Sequence, residues 1–279
     1  MKIWIIMKRT NIIKLILLLL LSPISIACHN KVEPAGNSES IQVNGEASSE
    51  QEEKVNAVKI GNQLWMAEDL NIDKFNNGDP IPEAKNLDEW KKAGKAGTPM
   101  SCYYNFDPEN GKKYGKLYNW YAVNDSRGLA PNGFHVATKD DWQELINFTN
   151  KPDRREAANS LKSTTDWPEH PWYKGTNGYG FSAKPGGVLS YSLEITAASA
   201  EGQANTYSPP IPPIDRCKFH DLGFAVSWWT SSIDGDAPIH ANIFRIWQGD
   251  ALTTSDISYL YDKFCGFYVR CISDKRPFE

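Results

Sequence analysis

The chain has 279 residues, 41% of them hydrophobic and 23% charged, with 30 Lys and Arg against 34 Asp and Glu. Ten Trp, 12 Tyr and 11 Phe supply ample apolar area for a core, in a span near the upper size for one domain. The acidic balance gives no pull toward phosphate backbones, and the absence of a basic run or basic amphipathic helix disfavours nucleic acid and lipid headgroups as partners.

The N-terminus reads as a secretory signal over 1–27: Lys2, Lys8 and Arg9, an apolar run from Ile12 through Leu21, then small residues up to Ala27. The run is too short and too quickly broken to span a bilayer, which needs about 20 apolar residues. Cys28 directly after Ser25-Ile26-Ala27 is similar to the bacterial lipobox, with Ser25 in place of the usual Leu. That similarity implies cleavage before Cys28 and diacylation of its thiol. Met7 is an alternative start, since Lys8 and Arg9 alone make a charged region. Removing the signal takes away four basic residues and no acidic ones, leaving 26 against 34 and a net charge of −8. From His29 the chain is Ser, Glu, Asn, Gly and Gln with almost no large apolar residue, so 28–54 is expected to be a lipidated, disordered tether. His29 is not the Asp associated with inner-membrane retention, so the expected location is the outer membrane of the cell envelope.

Over 55–279, Ala57 to Leu70 alternates around Gly61-Asn62, a hairpin signal. Thr138 followed by Asp141, Trp142, Leu145, Ile146 and Thr149 predicts an N-capped amphipathic helix, and Arg155 to Lys162 a second. At that helix start Asp140 and Asp141 answer the macrodipole rather than forming a catalytic pair. Strands are expected at Gly180 to Ala183, Phe224 to Thr230, Ala241 to Trp247 and Lys263 to Ile272. Between the first two lies Gly186 to Leu222, expected to be irregular and stiffened by the prolines of TYSPPIPPIDRC; loops of that length are usually functional or disordered. Helices early and strands late make an α+β domain.

Four cysteines follow Cys28: Cys102, Cys217, Cys265 and Cys271. An even count in a secreted domain favours disulfides, and no Cys-x-x-Cys or neighbouring His supplies zinc spacing, so no metal is expected there. In a continuous strand Cys265 and Cys271 lie about 20 Å apart at roughly 3.3 Å per residue, beyond disulfide reach. Two connectivities remain.

Seven segments in order, VKIGNQLWMAEDLN (58–71), NGDPIP (77–82), YGKLYNWYAVN (114–124), PNGFHVAT with DDW (131–142), GFSAKPGG (180–187), WWTSS (228–232) and FYVRC (267–271), resemble the Fibrobacter succinogenes major paralogous domain. The resemblance covers nearly all of 57–274 and implies a C-type-lectin-like fold with two helices, a small antiparallel sheet and a long irregular loop region. By that fold's habit it implies the pairs Cys102–Cys271 and Cys217–Cys265. Ala130 stands where the family commonly has Cys, which leaves Cys102 as the N-terminal partner. The family brings no common activity, so function has to be read from the site.

No nucleophile elbow, Walker loop, dinucleotide fingerprint or His-Glu-x-x-His motif is present. His135 reads as orienting the turn before the first helix, and His170, His220 and His240 have no partner at ligand spacing. FYVRC also resembles the last strand of the formylglycine-generating oxidases, whose chemistry would use Cys265 and Cys271, but the rest of that signature is missing. A lectin-type calcium would need Glu-Pro-Asn or Gln-Pro-Asp in the loop; Asp107-Pro108-Glu109-Asn110 resembles the triplet in the wrong place, while Asp234, Asp236 and Asp250 could gather at strand ends. No cofactor is therefore expected, with calcium the open alternative. The expectation is a binding module rather than an enzyme, taking a glycan or a surface protein through Tyr191, Tyr207, Trp229 and Trp247. A structural part of the envelope that binds no small ligand is the competing reading.

Overall fold

A computed structural model describes residues 40–43, 55–149, 154–191, 214–232, 239–249 and 259–277. Cys28, Tyr207, Asp234, Asp236 and Asp250 lie outside them. The hairpin forms as expected: β2 (Val55–Ile60) and β3 (Gln63–Met66) pair antiparallel, with Ile60 opposite Gln63. Gly61 turns the chain at φ 61°, a backbone region that glycine enters without a Cβ penalty. Part of the expected tether is a strand instead. β1 (Ser40–Val43) pairs antiparallel with β2 and satisfies its otherwise open backbone edge.

Three helices outside the sequence expectation follow, the first of them amphipathic with Trp90, Ala93 and Gly94 on its buried face. α1 (Leu87–Ala96) is capped by Asn86, whose side chain accepts from the Glu89 N–H, and is ended by Gly97 in the left-handed region. α2 (Pro108–Tyr114) has Asp107 as its cap and Pro108 in its first turn, so the Asp-Pro-Glu-Asn segment is a helix start. α3 (Trp120–Val123) is capped by Asn119. The short strands β4 (Ser101–Cys102) and β5 (Leu117–Tyr118) pair around α2.

β6 (Phe134–Val136) leads into α4 (Lys139–Thr149). Thr138 and Asp141 cap the helix reciprocally: the Asp141 N–H donates to Thr138 Oγ1 at 3.1 Å and the Thr138 N–H donates to Asp141 Oδ2 at 2.8 Å. α5 (Arg154–Leu161) is the second expected helix. Gly180 to Ala183 is not a strand; it makes a single bridge, Ala183 with Lys162, because Ser182 turns at φ 55° and Phe181 inserts among Trp65, Trp142 and Trp228.

The expected loop is strand at both ends: β7 (Gly186–Ser190) pairs antiparallel with β8 (Lys218–Leu222). β9 (Ala225–Trp229) and β10 (His240–Trp247) match expectation. The last expected strand is broken: after β11 (Tyr259–Asp262) the Cys265 N–H turns back to Asp262 O, single bridges follow at Phe267 and Tyr268, and β12 (Cys271–Ser273) closes the chain.

The result is an α+β fold with two five-stranded sheets, ordered β1-β2-β3-β12-β6 and β11-β10-β9-β7-β8, and the β4-β5 pair. Pairing is antiparallel except between β7 and β9. The segment 263–270 threads between the sheets, with Leu189, Trp228 and Tyr118 bridging to it. One core cluster stacks Trp142 on Phe244 at 4.2 Å between ring centres and gathers Trp65, Phe181 and Trp228; the other holds Trp229, Phe267, Tyr118 and Trp120.

Candidate functional site

Trp228 and Trp229 face opposite sides of β9, as alternation requires, but each side is a core. Trp229 is 0% exposed, its indole N–H donating to Tyr118 O at 2.8 Å and its ring edge-on to Phe267. The expectation that it meets ligand is corrected: β9 lies between β10 and β7, and Phe267, Tyr118 and Trp120 pack over what would have been an open face. Tyr191 is also buried, packed on Tyr261 and Phe264 with its hydroxyl bonded to Asp262. Trp247 is half-buried at the end of β10, with Arg245 over its ring at 4.7 Å.

Among the described residues the most exposed large aromatic is Trp172, 61% exposed against 50% for Phe148 and 47% for Phe224. It sits in a turn after Pro171 and is held from below: Asn159 on α5 donates to its carbonyl at 3.0 Å, and its own N–H donates to His170 Nδ1 at 3.2 Å. His170 stacks on Tyr173 at 4.3 Å, and the Arg155 guanidinium lies 5.3 Å from the Trp172 ring centre. Gly175 lets this loop press on Ser163, since a Cβ there would meet Ser163 O at 1.9 Å. Between the loop and α5 lies an open groove of about 770 Å³ that also presents Glu156, Thr164 and Thr176, within the size of small-ligand sites. An indole face beside amide, hydroxyl and charged groups can cover an apolar surface while bonding polar substituents around it.

A second cavity of about 260 Å³ opens over Asp69 and Arg270. Gly115, at φ 81°, packs its backbone against this floor, where a Cβ would stand 3.2 Å from Asp69 O. Arg270 Nε donates to Asp69 Oδ1 at 2.6 Å, Trp228 Nε1 donates to the same oxygen at 2.7 Å, and Arg270 Nη1 donates to Met66 O and Phe181 O. Burial raises the Asp69 carboxyl above the usual carboxylate range in spite of the guanidinium beside it. Neither residue stands out in the sequence as functional; the available signal is a charge inside each of two apolar motifs, WMAEDL and FYVRC.

The histidines are built into ties. His135 joins Asp274 (2.7 Å) to the Asp141 cap (3.1 Å), the structural part expected of it. His220, expected to be unpartnered, bonds Ser190 Oγ at 2.8 Å through Nε2 and Asp221 at 2.9 Å through Nδ1. That is the bonding order of a Ser-His-Asp triad, yet Ser190 is 1% exposed and borders neither cavity, and Arg245 already takes Asp221 at 2.6 Å. Against the effect of burial, His220 and Arg245 hold the Asp221 carboxyl down. The relay fastens β7 to β8 and β10.

All four described cysteines are buried thiols. Cys217 and Cys265 meet, the two thiols in hydrogen-bond contact where the two core clusters adjoin, and Cys102 and Cys271 also lie one in each cluster. Burial pushes the Cys102, Cys265 and Cys271 thiols up, away from the thiolate that reacts. Among the described residues no group of three or more His, Cys, Asp or Glu side chains is placed to hold a metal ion, and no helix is long and apolar enough to cross a membrane.

The architecture and the concave surfaces describe an α+β domain with a solvent-facing groove and a polar cavity. The chain belongs to the Fibrobacter succinogenes major domain family, whose model matches residues 58–273. No curated protein and no solved structure matches it.

Proposed function

We propose that this chain is a lipid-anchored protein of the cell envelope, held in the outer membrane through Cys28, whose lectin-like domain binds glycan in the groove beside Trp172. The observation that carries the reading is Trp172 itself: a fold that buries Trp65, Trp90, Trp142, Trp228 and Trp229 completely leaves this indole 61% in water, flanked by Arg155 and backed by hydrogen bonds from Asn159 and to His170. A sugar ring has an apolar face of C–H groups and a rim of hydroxyls, which an aromatic face with polar neighbours complements at low entropic cost. The buried, upshifted thiols and the enclosed Ser190 support a binding protein over an oxidase or a serine hydrolase.

A glycan and protein array probed with the full chain and with Trp172→Ala tests this. The expected result is a glycan signal that the variant weakens by about tenfold or more, as for an anchoring residue. A protein-only signal, or glycan binding indifferent to Trp172, overturns it. Cys28→Ser should move the protein from the membrane to the soluble fraction; unchanged membrane association removes the lipid anchor. A fluorophosphonate should leave the protein unlabelled, and labelling lost in Ser190→Ala would make it a hydrolase.

A further inference from the structure

We infer that the cavity floored by Asp69 and Arg270 is a second binding site, for one sugar ring that carries a carboxylate, its hydroxyls on the floor and its carboxylate at Lys184. It shares no lining residue with the Trp172 groove and does not depend on that groove's function.

The floor has hydrogen-bonding capacity that the protein leaves unused. The Asp69 and Arg270 side chains are 6% and 1% exposed, and their mutual bond runs through Oδ1 and Nε. Among the described residues Asp69 Oδ2 and Arg270 Nη2 form no hydrogen bond, and neither is among the sealed, unsatisfied buried atoms, so both open on the cavity. A ligand meeting them must present a donor to the carboxylate oxygen and an acceptor to the guanidinium. Adjacent hydroxyls do both as a neutral group, and so add no charge to a site that already holds a desolvated ion pair. The walls suit such a ligand, with amides from Asn56 and Asn71 and the hydroxyl of Ser182. The volume of about 260 Å³ falls just under the range for drug-sized ligands and suits a single ring.

The rim supplies the charge preference. Lys112 is paired with Glu109 and Lys113 with Asp166, but Lys184 is half-buried and, among the described residues, has no carboxylate within ion-pair distance. Glu68 also lines the cavity, but it is exposed and screened by water, so the half-buried Lys184 sets the preference, favouring an anionic substituent on the ring through a charge-assisted hydrogen bond.

Titration of the full-length protein in detergent with D-glucuronate, D-glucose and acetate, followed by calorimetry or NMR, tests the assignment. Glucuronate should bind saturably, about tenfold tighter than glucose and than acetate, because only it engages both floor and rim. Lys184→Gln should bring glucuronate to the affinity of glucose, whereas Lys184→Arg, which keeps the charge near Asp69, should retain the preference. Trp172→Ala should leave glucuronate binding intact even where it abolishes the array signal, which separates the two sites. Absence of saturable glucuronate binding, equal affinity for glucose, an unchanged Lys184→Gln, or loss of glucuronate on Trp172→Ala would each overturn the proposal.

Discussion

Three guanidiniums lie over indoles among the described residues, those of Arg155, Arg245 and Arg270, and the contrast between the first and the last separates a charge locked into the core from one at the surface. Arg270 sits 4.3 Å from the Phe181 ring centre and 5.8 Å from that of Trp228, deep between the sheets, with Asp69 as counter-charge. Arg155 sits 5.3 Å from the centre of Trp172 on an open groove. In the first place desolvation makes every missing partner costly, so the residues are bound to the fold. In the second, water can replace any partner, so losing one costs little.

The strongest way to break that contrast is Arg270→Met. It leaves Asp69 as a buried carboxylate without its cation and should cost about 3–5 kcal/mol, read as a lower urea midpoint with an unchanged slope. A loss below about 1 kcal/mol, the range of exposed pairs, would mean that Arg270 is no more structural than Arg155. Tryptophan truncation sharpens the comparison next. Trp229→Ala should lose about 3–5 kcal/mol through the cavity it opens, whereas Trp172→Ala, on the surface, should stay within about 0.5 kcal/mol while losing glycan. Similar losses for both would erase the distinction.

Oxidation tests the seam beneath β11. Cys217 and Cys265 are in contact, so non-reducing peptide mapping of protein from an oxidising compartment should recover them as one linked pair, adding about 2–4 kcal/mol over the reduced form. Free thiols at both positions, or either one recovered in another pair, would show that this contact does not close.

The smallest effect belongs to His135. Its bond to Asp141 outweighs burial, and with Asp274 it holds the imidazolium above the usual histidine range. A raised folded-state pKa stabilises fully below the unfolded value of about 6.5 and is lost as pH rises through the folded value. Asp141 runs the other way: burial raises it, but His135 and Thr138 hold it down on balance, so its contribution is lost as pH falls through its own lowered folded value. Wild type should therefore gain on His135→Asn at mildly acidic pH and lose that advantage above neutrality, by under about 1 kcal/mol because the ring is partly solvated. A pH-independent difference between the two proteins would dismiss the tie.

Much of this architecture is local and could be read along the chain. Gly61-Asn62 makes its hairpin, Thr138 and Asp141 cap their helix, and the alternation in β9 sends Trp228 and Trp229 to opposite faces, because those outcomes rest on backbone sterics and neighbouring hydrogen bonds. The seven ordered motifs were enough for the family. Short helices such as α2 and α3 escaped the hydrophobic pattern because they carry less than two full turns of it and are marked mainly by their caps, Asp107 and Asn119. β7 escaped because Gly186 and Gly187 read as loop, although the second adopts φ 71° inside the strand.

The site depended on what lies across the sheets. Alternation shows that Trp229 faces away from Trp228, but only the packing of Phe267 and Tyr118, from distant parts of the chain, decides that the far face is a core rather than a surface. Likewise Asp69 and Arg270 are two isolated charges in apolar motifs until β3 and β12 are paired. Trp172 stands in a Pro- and Gly-rich polar stretch, PEHPWYKGTNG, that reads as a loop, yet Trp167 just before it is buried, so local composition does not decide which of the two faces water. Composition and local pattern determined that this chain would bury a large aromatic core; which aromatics and which charges were left facing water was decided by packing between segments far apart in sequence, since burial is a property of what covers a residue and not of the residue itself.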